Sequence, residues 1–234
     1  MSLKKYLYTK RQLFSRFFAL KLSRERAFTA LQLIIKTLQS NKYLPEKIIA
    51  LEVFGFIGTS TSLDYAELTD YLELWEIDPY YAKQAQKINP NAKVICGDSV
   101  EAIANGKLLR DDYNFLVIDS NISSALNDGS YESFGVFENS LKYLAKKSVV
   151  IVTIYNNLEA FAKLYNTSVN QLDANWITAR KTFYGLDNVI NARGTDYLIS
   201  FEKIIAKNNF QLIQSQFISR NNCVGFGVFV LDKK

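Results

Sequence analysis

The chain has 234 residues, 28 of them basic and 23 acidic, and 48% of them are hydrophobic, which is enough for a sizeable buried core. It contains no histidine, which excludes Ser-His-Asp hydrolysis, Cys-His proteolysis, two-histidine zinc helices and zinc deaminases. No Gly-x-x-x-x-Gly-Lys-Ser/Thr run is present either, so we expect chemistry carried by a cofactor, or no chemistry.

The start of the chain is strongly basic, with Glu25 the only acid among Lys4, Lys5, Lys10, Arg11, Arg16, Lys21, Arg24 and Arg26. Interleaved aromatic residues leave two interpretations. One is an arm that follows phosphates and stacks on nucleic-acid bases. The other, which we favour, is an amphipathic segment that packs its aromatic rings on the domain. We predict a helical, basic lead-in over residues 1–45 and a main domain over 46–234.

Hydrophobic periodicity predicts alternating helices and strands along the main domain and just before it. A helix is expected over 27–40 and another from Asp78, an N-cap followed by proline, to Lys87. Further helices are predicted over 99–105 and 131–145. Strands are predicted over 47–53, 71–77, 92–96, 114–118 and 148–154. This alternation is typical of a parallel sheet covered on both faces and joined by right-handed crossovers.

The last third of the chain has a different pattern. Residues 155–192 are rich in asparagine and weakly periodic, which indicates a variable insertion that is helical or a loop. A helix is predicted over 193–207, and two strands over 210–217 and 224–231 are close enough to form an antiparallel hairpin. The predicted fold class is therefore α/β: three layers, doubly wound, with a mostly parallel seven-stranded sheet and an antiparallel C-terminal hairpin strand.

Four predicted strands in a row have acidic residues at their carboxyl ends: Glu52, Glu76 with Asp78, Asp98, and Asp119. Ligands of open parallel sheets bind at these carboxyl ends. Gly55 and Gly58 allow the first loop to approach a ligand closely. Glu76 is placed to accept hydrogen bonds from ribose hydroxyls, and Asp98 or its neighbouring backbone to meet an adenine amine. Glu52 is placed to attract an ammonium group.

Glu52 distinguishes two cofactors that share this architecture. A dinucleotide places its pyrophosphate on the first loop, where a neighbouring carboxylate repels it. S-adenosylmethionine places a sulfonium and an ammonium there instead. The sequence also lacks a full Gly-x-Gly-x-x-Gly motif, so S-adenosylmethionine is the predicted cofactor and a nicotinamide enzyme a remote alternative.

The stretch from Leu51 to Thr61, LEVFGFIGTST, resembles the first motif of the class I, Rossmann-like methyltransferases, most closely the form found in small-molecule O-methyltransferases. The segment WEIDPYYAKQAQKINPNAKVICGDSVEAI is similar to the second and third segments of that family. The resemblance covers roughly residues 47–154. It implies S-adenosylmethionine binding by Glu52, Gly58, Glu76, Asp98 and Ser99. The predicted cofactor-binding set also includes Gly55, Ser60, Ile77 and Asp119.

Three positions depart from the family pattern. Phe54 stands where the family has its first glycine, so we expect an altered loop geometry. Tyr155-Asn156-Asn157 and Asp119-Ser120-Asn121 lack the Asp-Asn pair and the lysine of the metal-dependent O-methyltransferases, so no metal site is predicted. The latter segment also differs from the Asn/Asp-Pro-Pro-Tyr/Phe signature of enzymes that methylate amino groups of nucleic acids.

Each of these residues also has a structural interpretation: Glu52 as a buried ion-pair partner, Asp78 and Asp98 as helix N-caps, and the two glycines as turn residues. Without histidine, the catalytic base is predicted to be Asp119 or, second, Tyr131. The predicted acceptor is a small molecule held by residues 120–131 and 155–192. The alternatives are RNA or protein as acceptor, and a binding module without catalysis.

Location and cysteine use complete the sequence predictions. No apolar run approaches the roughly 20 residues that span a bilayer, and the Met1 end lacks the features of a secretory signal. A cytoplasmic protein with no membrane partner is expected. Cys96 and Cys223 have no pair spacing, so we predict two buried strand thiols and no disulfide.

Overall fold

The computed structural model describes residues 29–58, 61–120, 134–164 and 166–234. Within them a seven-stranded sheet has the order β3-β2-β1-β4-β5-β7-β6. Strands β1 to β5 are parallel, whereas β7 runs antiparallel to both β5 and β6. The predicted fold class is confirmed. The strands are β1 (Ile49–Val53), β2 (Tyr71–Glu76), β3 (Lys93–Cys96), β4 (Tyr113–Ile118), β5 (Leu144–Tyr155), β6 (Phe210–Ser219) and β7 (Val224–Lys233).

Four of the α-helices in these residues begin where short polar side chains cap free backbone N–H groups. Thr29 forms a capping box with Gln32, and Asp78, Asp98 and Asp173 each accept hydrogen bonds from the first turn of the helix that follows. The helices are α1 (Ala30–Ser40), α2 (Ser62–Tyr65), α3 (Pro79–Ile88), α4 (Ser99–Ala104), α5 (Phe134–Ser140), α6 (Leu158–Leu164), α7 (Ala174–Tyr184) and α8 (Gly194–Lys207).

Two elements differ from the sequence prediction. The helix expected over 131–145 has α5 as its described α-helical part, followed by a 3₁₀ turn, and β5 already begins at Leu144. β5 is longer than expected because β7 pairs with it as far as Lys147, opposite Asp232, and β4 pairs with it at Leu144. The weakly periodic region 155–192 contains the two helices α6 and α7, which agrees with the helical form of the predicted insertion.

The core lies on both faces of the sheet. On one face α1 buries Leu31, Ile34, Ile35 and Leu38 against strand residues such as Ala50 and Phe115. On the other face α4, α5 and α8 pack on the alternate residues of the same strands. No helix in the described part of the chain is both long and apolar enough to cross a membrane.

The prediction for the two cysteines was wrong in part. Cys96 is the last residue of β3 but is exposed, because β3 forms an edge of the sheet. Cys223 is buried as predicted, yet it lies in the turn between β6 and β7 instead of within a strand.

Candidate functional site

Strand register decides how deep each acidic residue lies at the carboxyl edge of the parallel strands. Glu52 pairs with Leu74 of β2 on one side and with Val117 of β4 on the other. Glu76 and Asp119 each follow those partners by two residues, so they project from the same face of the sheet as Glu52 but nearer the edge. The structure therefore places Glu76 and Asp119 at the rim, on either side of the loop that follows β1, with Glu52 one layer below.

This first loop has left-handed backbone at three alternate positions. φ is +66° at Phe54, +49° at Phe56 and +70° at Gly58. For a side chain with a Cβ atom this conformation costs about 1–2 kcal/mol, so two phenylalanines hold a backbone path that suits glycine. The Phe56 ring contacts the ring of Tyr81 on α3 at a centroid distance of 4.5 Å.

The two glycines of the loop have identifiable structural roles. The Gly55 N–H donates to the carbonyl of Trp75 at 2.8 Å, and a Cβ atom there would lie 2.2 Å from the Leu74 side chain. Gly58 accepts a hydrogen bond on its carbonyl from the Asn89 side chain at 3.1 Å. Both glycines thus hold the loop against β2 and α3.

The Glu52 carboxyl is buried, with 1% of the residue exposed. Its Oε1 lies 3.0 Å from the Thr61 hydroxyl and its Oε2 accepts from the Tyr65 hydroxyl at 2.5 Å. Burial raises the pKa of Glu52 to about 7, and the negative charge of Asp119 adds to the rise while the hydroxyl donors oppose it. Burial, together with the nearby Glu52, also raises the pKa of Tyr65.

Thr61 connects Glu52 to Asp119. The Thr61 Oγ1 atom lies 3.0 Å from Glu52 Oε1 and 3.2 Å from Asp119 Oδ2. A hydroxyl carries one hydrogen and cannot donate to both carboxyls at once. A protonated Glu52 resolves this, because it donates to Thr61 Oγ1 while Thr61 donates to Asp119. A pKa of about 7 makes this protonated form abundant near neutral pH.

Asp119 faces donors from three other elements. The Thr153 hydroxyl on β5 donates to its Oδ1 at 2.6 Å, and Thr61 lies at its Oδ2. A guanidinium nitrogen of Arg220, from the turn between β6 and β7, is 3.7 Å from Oδ1. Asp119 is thus a carboxylate held in place by hydroxyls, beside one cation.

The Glu76 carboxyl is held by backbone groups. It accepts from the N–H of Asp78 at 2.9 Å, and the N–H groups of Phe56 and Ile77 also face it. Burial raises its pKa, and these backbone donors oppose the rise. Ile77, next along the chain, is 66% exposed. The end of β2 therefore combines a carboxyl with an exposed apolar side chain.

At the end of β3 the predicted ligand residues form the start of a helix. Asp98 is exposed, and its Oδ1 accepts from the N–H of Val100 at 2.8 Å and of Glu101 at 3.2 Å. Ser99 is buried in the first turn, while Val100 presents an exposed apolar side chain. Asp98 thus has the N-cap role that was its structural alternative, and Asp78 has the same role on α3.

An aromatic cavity lies beside the rim on the other face of the sheet. It is lined by Ile118, Ser120, Phe134, Val152, Thr153, Tyr184 and Phe201. Tyr184 belongs to the region 155–192 that was predicted to shape the acceptor pocket. Ser60 and Tyr131 lie outside the described residues, as do residues 1–28. Among the residues that the structure describes, no group of three or more Cys, Asp or Glu side chains is arranged to hold a metal ion.

Sequence reasoning missed Thr61, Tyr65, Thr153 and Arg220. The hydroxyl residues carry no motif of their own, and only the strand register brings Thr153 beside Asp119. One feature of the sequence could have indicated Arg220. If β7 pairs antiparallel with β5, the β6–β7 turn that contains Arg220 must lie at the carboxyl edge of the sheet.

Comparison with known proteins gives structural matches only. No family model and no curated protein matches the chain. Among solved structures, magnesium protoporphyrin IX methyltransferase from Synechocystis matches with a TM-score of 0.54 and 11% identity over 87% of this chain and 81% of that one. A TehB-like SAM-dependent methyltransferase from Corynebacterium glutamicum matches with a TM-score of 0.53 and 12% identity over 97% and 99%. The N-methyltransferase NodS from Bradyrhizobium japonicum matches with a TM-score of 0.52 and 12% identity over 90% and 96%.

The chain has the methyltransferase fold. At 11–12% identity the likeness extends to the fold and no further. In a methyltransferase fold, as in other open parallel sheets, the strand order reverses beside the first strand, and ligands bind over the carboxyl ends at that point. Here β1 and β4 flank the reversal, which is where Thr61, Glu52 and Asp119 meet.

Proposed function

We propose that the protein is an S-adenosylmethionine-dependent methyltransferase that acts on a small-molecule acceptor. The observation that carries the proposal is the pair of rim carboxylates, Glu76 and Asp119, on either side of a left-handed first loop in a methyltransferase fold. S-adenosylmethionine is an adenosyl ligand with a sulfonium and an α-ammonium, and a negatively charged rim suits both positive groups.

The adenosine half fits the ends of β2 and β3. Glu76 offers carboxyl oxygens to the ribose hydroxyls, and the exposed side chains of Ile77 and Val100 offer apolar contacts to the adenine ring. Asp98 and Ser99 lie at the same end, where the Asp98 side chain already caps the first N–H groups of α4. Gly55 and Gly58 belong to the loop that would pass beneath the ligand, and Ser60 stays a cofactor-binding candidate from the sequence alone.

The methionine half fits the reversal point between β1 and β4. The depth of Glu52 and the hydroxyls on both of its oxygens favour an indirect role, through Thr61, over direct contact with the ammonium. Asp119 is the carboxylate at rim level, so we assign the ammonium to it. This assignment moves the role predicted for Glu52 to its partner in the same network.

The cofactor, when bound, supplies an activated methyl group for displacement by a nucleophile. The protein then has to align the acceptor, exclude water and receive a proton where the acceptor carries one. The aromatic cavity beside Thr153 offers apolar surface for the acceptor, and Asp119 adjoins it through the Thr153 hydroxyl. Asp119 therefore also stays our first candidate for the base, with Tyr131 second.

A small acceptor is supported by the likeness of the first loop to that of small-molecule O-methyltransferases. The neighbours in structure include an N-methyltransferase and a porphyrin methyltransferase. Affinity for RNA that falls steeply with salt would instead favour RNA as acceptor.

The test is calorimetric binding of S-adenosylhomocysteine and of its 2′-deoxy analogue to the wild type and to Glu76→Gln. We expect the wild type to prefer the ribose form by at least about tenfold, and Glu76→Gln to lose most of that preference. Glu67→Gln, on the exposed 3₁₀ turn after α2, is the control and should keep it.

Two outcomes contradict parts of the proposal. If the wild type does not bind S-adenosylhomocysteine at millimolar concentration, the methyltransferase assignment is wrong. If it binds but releases no S-adenosylhomocysteine from S-adenosylmethionine when pools of acceptors are supplied, the protein is a binding module without catalysis.

A further inference from the structure

We propose that Asp119 and Arg220 together form a two-point site for an α-amino acid group, in which Asp119 binds the ammonium and Arg220 the carboxylate. The inference rests on the proposed function, because it assigns the amino acid half of an S-adenosyl ligand to two side chains.

Arg220 reaches the rim from the last hairpin of the sheet. Val224, the first residue of β7, pairs with Tyr155, the last residue of β5, so the β6–β7 turn lies at the carboxyl edge. From this turn the Arg220 Nη1 atom comes within 3.7 Å of Asp119 Oδ1. The hairpin thus adds a positive charge to an edge otherwise lined by carboxylates.

The guanidinium of Arg220 retains its capacity to bind a further anion. Its distance from Asp119 exceeds that of a hydrogen bond, and it donates no hydrogen bond to any side chain or carbonyl in the described ranges. Its charge also acts on the Asp64 carboxyl, where it opposes the rise in pKa that burial causes. The guanidinium stacks on the Phe226 ring at 5.5 Å, and the side chain is 36% exposed. The guanidinium has five N–H donors in a planar fork. It is held by a ring and open to solvent, so it can bind a carboxylate through two parallel hydrogen bonds.

The turn holds the Arg220 backbone in a fixed position. The N–H groups of Arg220 and Asn221 both donate to the carbonyl of Val224, at 2.9 and 3.0 Å. The Asn221 side-chain oxygen accepts from the N–H groups of Cys223 and Val224, both at 2.9 Å. Because the backbone is fixed, ligand binding has to order only the side chain, which reduces its entropic cost.

The spacing and the charges fit an amino acid zwitterion. Standard bond lengths place the ammonium nitrogen and the carboxylate oxygens of an α-amino acid about 3 Å apart, close to the 3.7 Å between the two protein groups. The Thr61 and Thr153 hydroxyls orient Asp119, so its negative charge is fixed where the ammonium would lie. A ligand with both charges satisfies both side chains, whereas a simple anion satisfies Arg220 and is repelled by Asp119.

An α-amino acid group can come from the methyl donor or from an amino acid acceptor, and two arms of one experiment separate these sources. In the first arm calorimetry compares S-adenosylhomocysteine with S-adenosyl-3-thiopropylamine, which lacks only the carboxylate. In the second arm free amino acids are added to the protein saturated with S-adenosylhomocysteine, and thermal stabilisation is measured.

The proteins are the wild type, Arg220→Gln, Arg220→Lys and the control Arg110→Gln. Arg110 is a matched control because it also pairs with an aspartate, Asp112, and also stacks on a ring, that of Tyr71 at 5.1 Å, but it lies next to the start of β4 at the opposite edge. Both glutamine variants therefore lose one arginine, its aspartate contact and its ring contact, and they differ only in where the arginine lies.

We expect the wild type and Arg110→Gln to bind S-adenosylhomocysteine at least about tenfold more tightly than the amine. In Arg220→Gln the preference should fall to twofold or less, and Arg220→Lys should restore part of it, since it keeps the charge but not the fork. An unchanged preference, together with an amino acid that stabilises the wild type but not Arg220→Gln, supports the site with the acceptor as its ligand.

If neither arm responds to Arg220→Gln, the two-point site is wrong and Arg220 is a structural ion-pair partner, while the methyltransferase proposal stands on its own ribose test. If the wild type binds no S-adenosyl compound, the proposed function is wrong, and the free amino acid arm, run without donor, still decides the site.

Discussion

Glu52→Gln is expected to change how the free energy of unfolding depends on pH. The Glu52 carboxyl is buried among hydroxyls and faces Asp119, and its pKa is raised from 4.5 to about 7. Between these two values the folded protein keeps a proton that the unfolded chain releases. The free energy of unfolding therefore falls as pH rises through this window. Glutamine has the same shape but does not ionise, so the variant lacks this contribution.

The size of the effect follows from the change in pKa. At 1.36 kcal/mol per pKa unit, a rise from 4.5 to about 7 corresponds to about 3 kcal/mol, most of it lost between pH 4.5 and pH 7. At pH 5 the free energies of unfolding of the two proteins should differ by less than about 1 kcal/mol. At pH 8.5 the variant should be more stable than the wild type by about 2–3 kcal/mol.

Urea unfolding at half-unit steps from pH 5 to pH 8.5 measures this difference. The free energies can be compared directly where the two proteins have the same dependence on urea concentration. Glu67→Gln, which removes an exposed carboxylate nearby, is the control and should follow the wild type. A stability difference between Glu52→Gln and the wild type that stays constant over the whole range would refute the buried, proton-binding state of Glu52.

Three further predictions concern packing and binding. Gly58→Ala should lower the free energy of unfolding, measured in urea, more than Gly185→Ala does. Both glycines have a left-handed φ, which costs alanine about 1–2 kcal/mol. Only at position 58 would the added Cβ atom also meet a side chain, that of Asn89 at 2.4 Å. Equal losses would contradict the structure of the first loop. Glu73→Ala should lower the free energy of unfolding by about 3 kcal/mol or more, because the buried carboxylate accepts from two tyrosine hydroxyls, an indole N–H and a backbone N–H. A loss below about 1 kcal/mol would show that these donors form hydrogen bonds with water in the variant. Ile77→Ser should weaken S-adenosylhomocysteine binding about threefold to tenfold without changing the melting temperature, because the side chain is 66% exposed; unchanged affinity would remove Ile77 from the adenine site.

The positions of the strands along the chain were predictable because their local chemistry is unambiguous. β1, β4 and β5 are apolar runs bounded by turn residues, and Asp78 with Pro79 marks the start of α3 in the sequence itself. The acidic strand ends were visible for the same reason. Parallel pairing alone places all these strand ends at one edge of the sheet.

The depth of each acidic residue was not predictable. Glu52 and Asp119 differ by one layer because Glu52 pairs with Val117, and no local pattern encodes that register. The role of the rim carboxylate therefore could not be separated from that of the buried one. Arg220 was missed because its position depends on how the β6–β7 hairpin pairs with β5. In that pairing Val224 lies opposite Tyr155, which is 69 residues earlier in the chain.

The polar network around Asp119 joins four parts of the chain that are far apart in sequence: the end of β1, the start of α2, the end of β5 and the β6–β7 turn. Closing such long loops is slow, so the network is complete only when the whole sheet has assembled. A molecule bound there would hold together both halves of the sheet at once. It should therefore slow amide hydrogen exchange throughout the central strands, far beyond the residues that it touches.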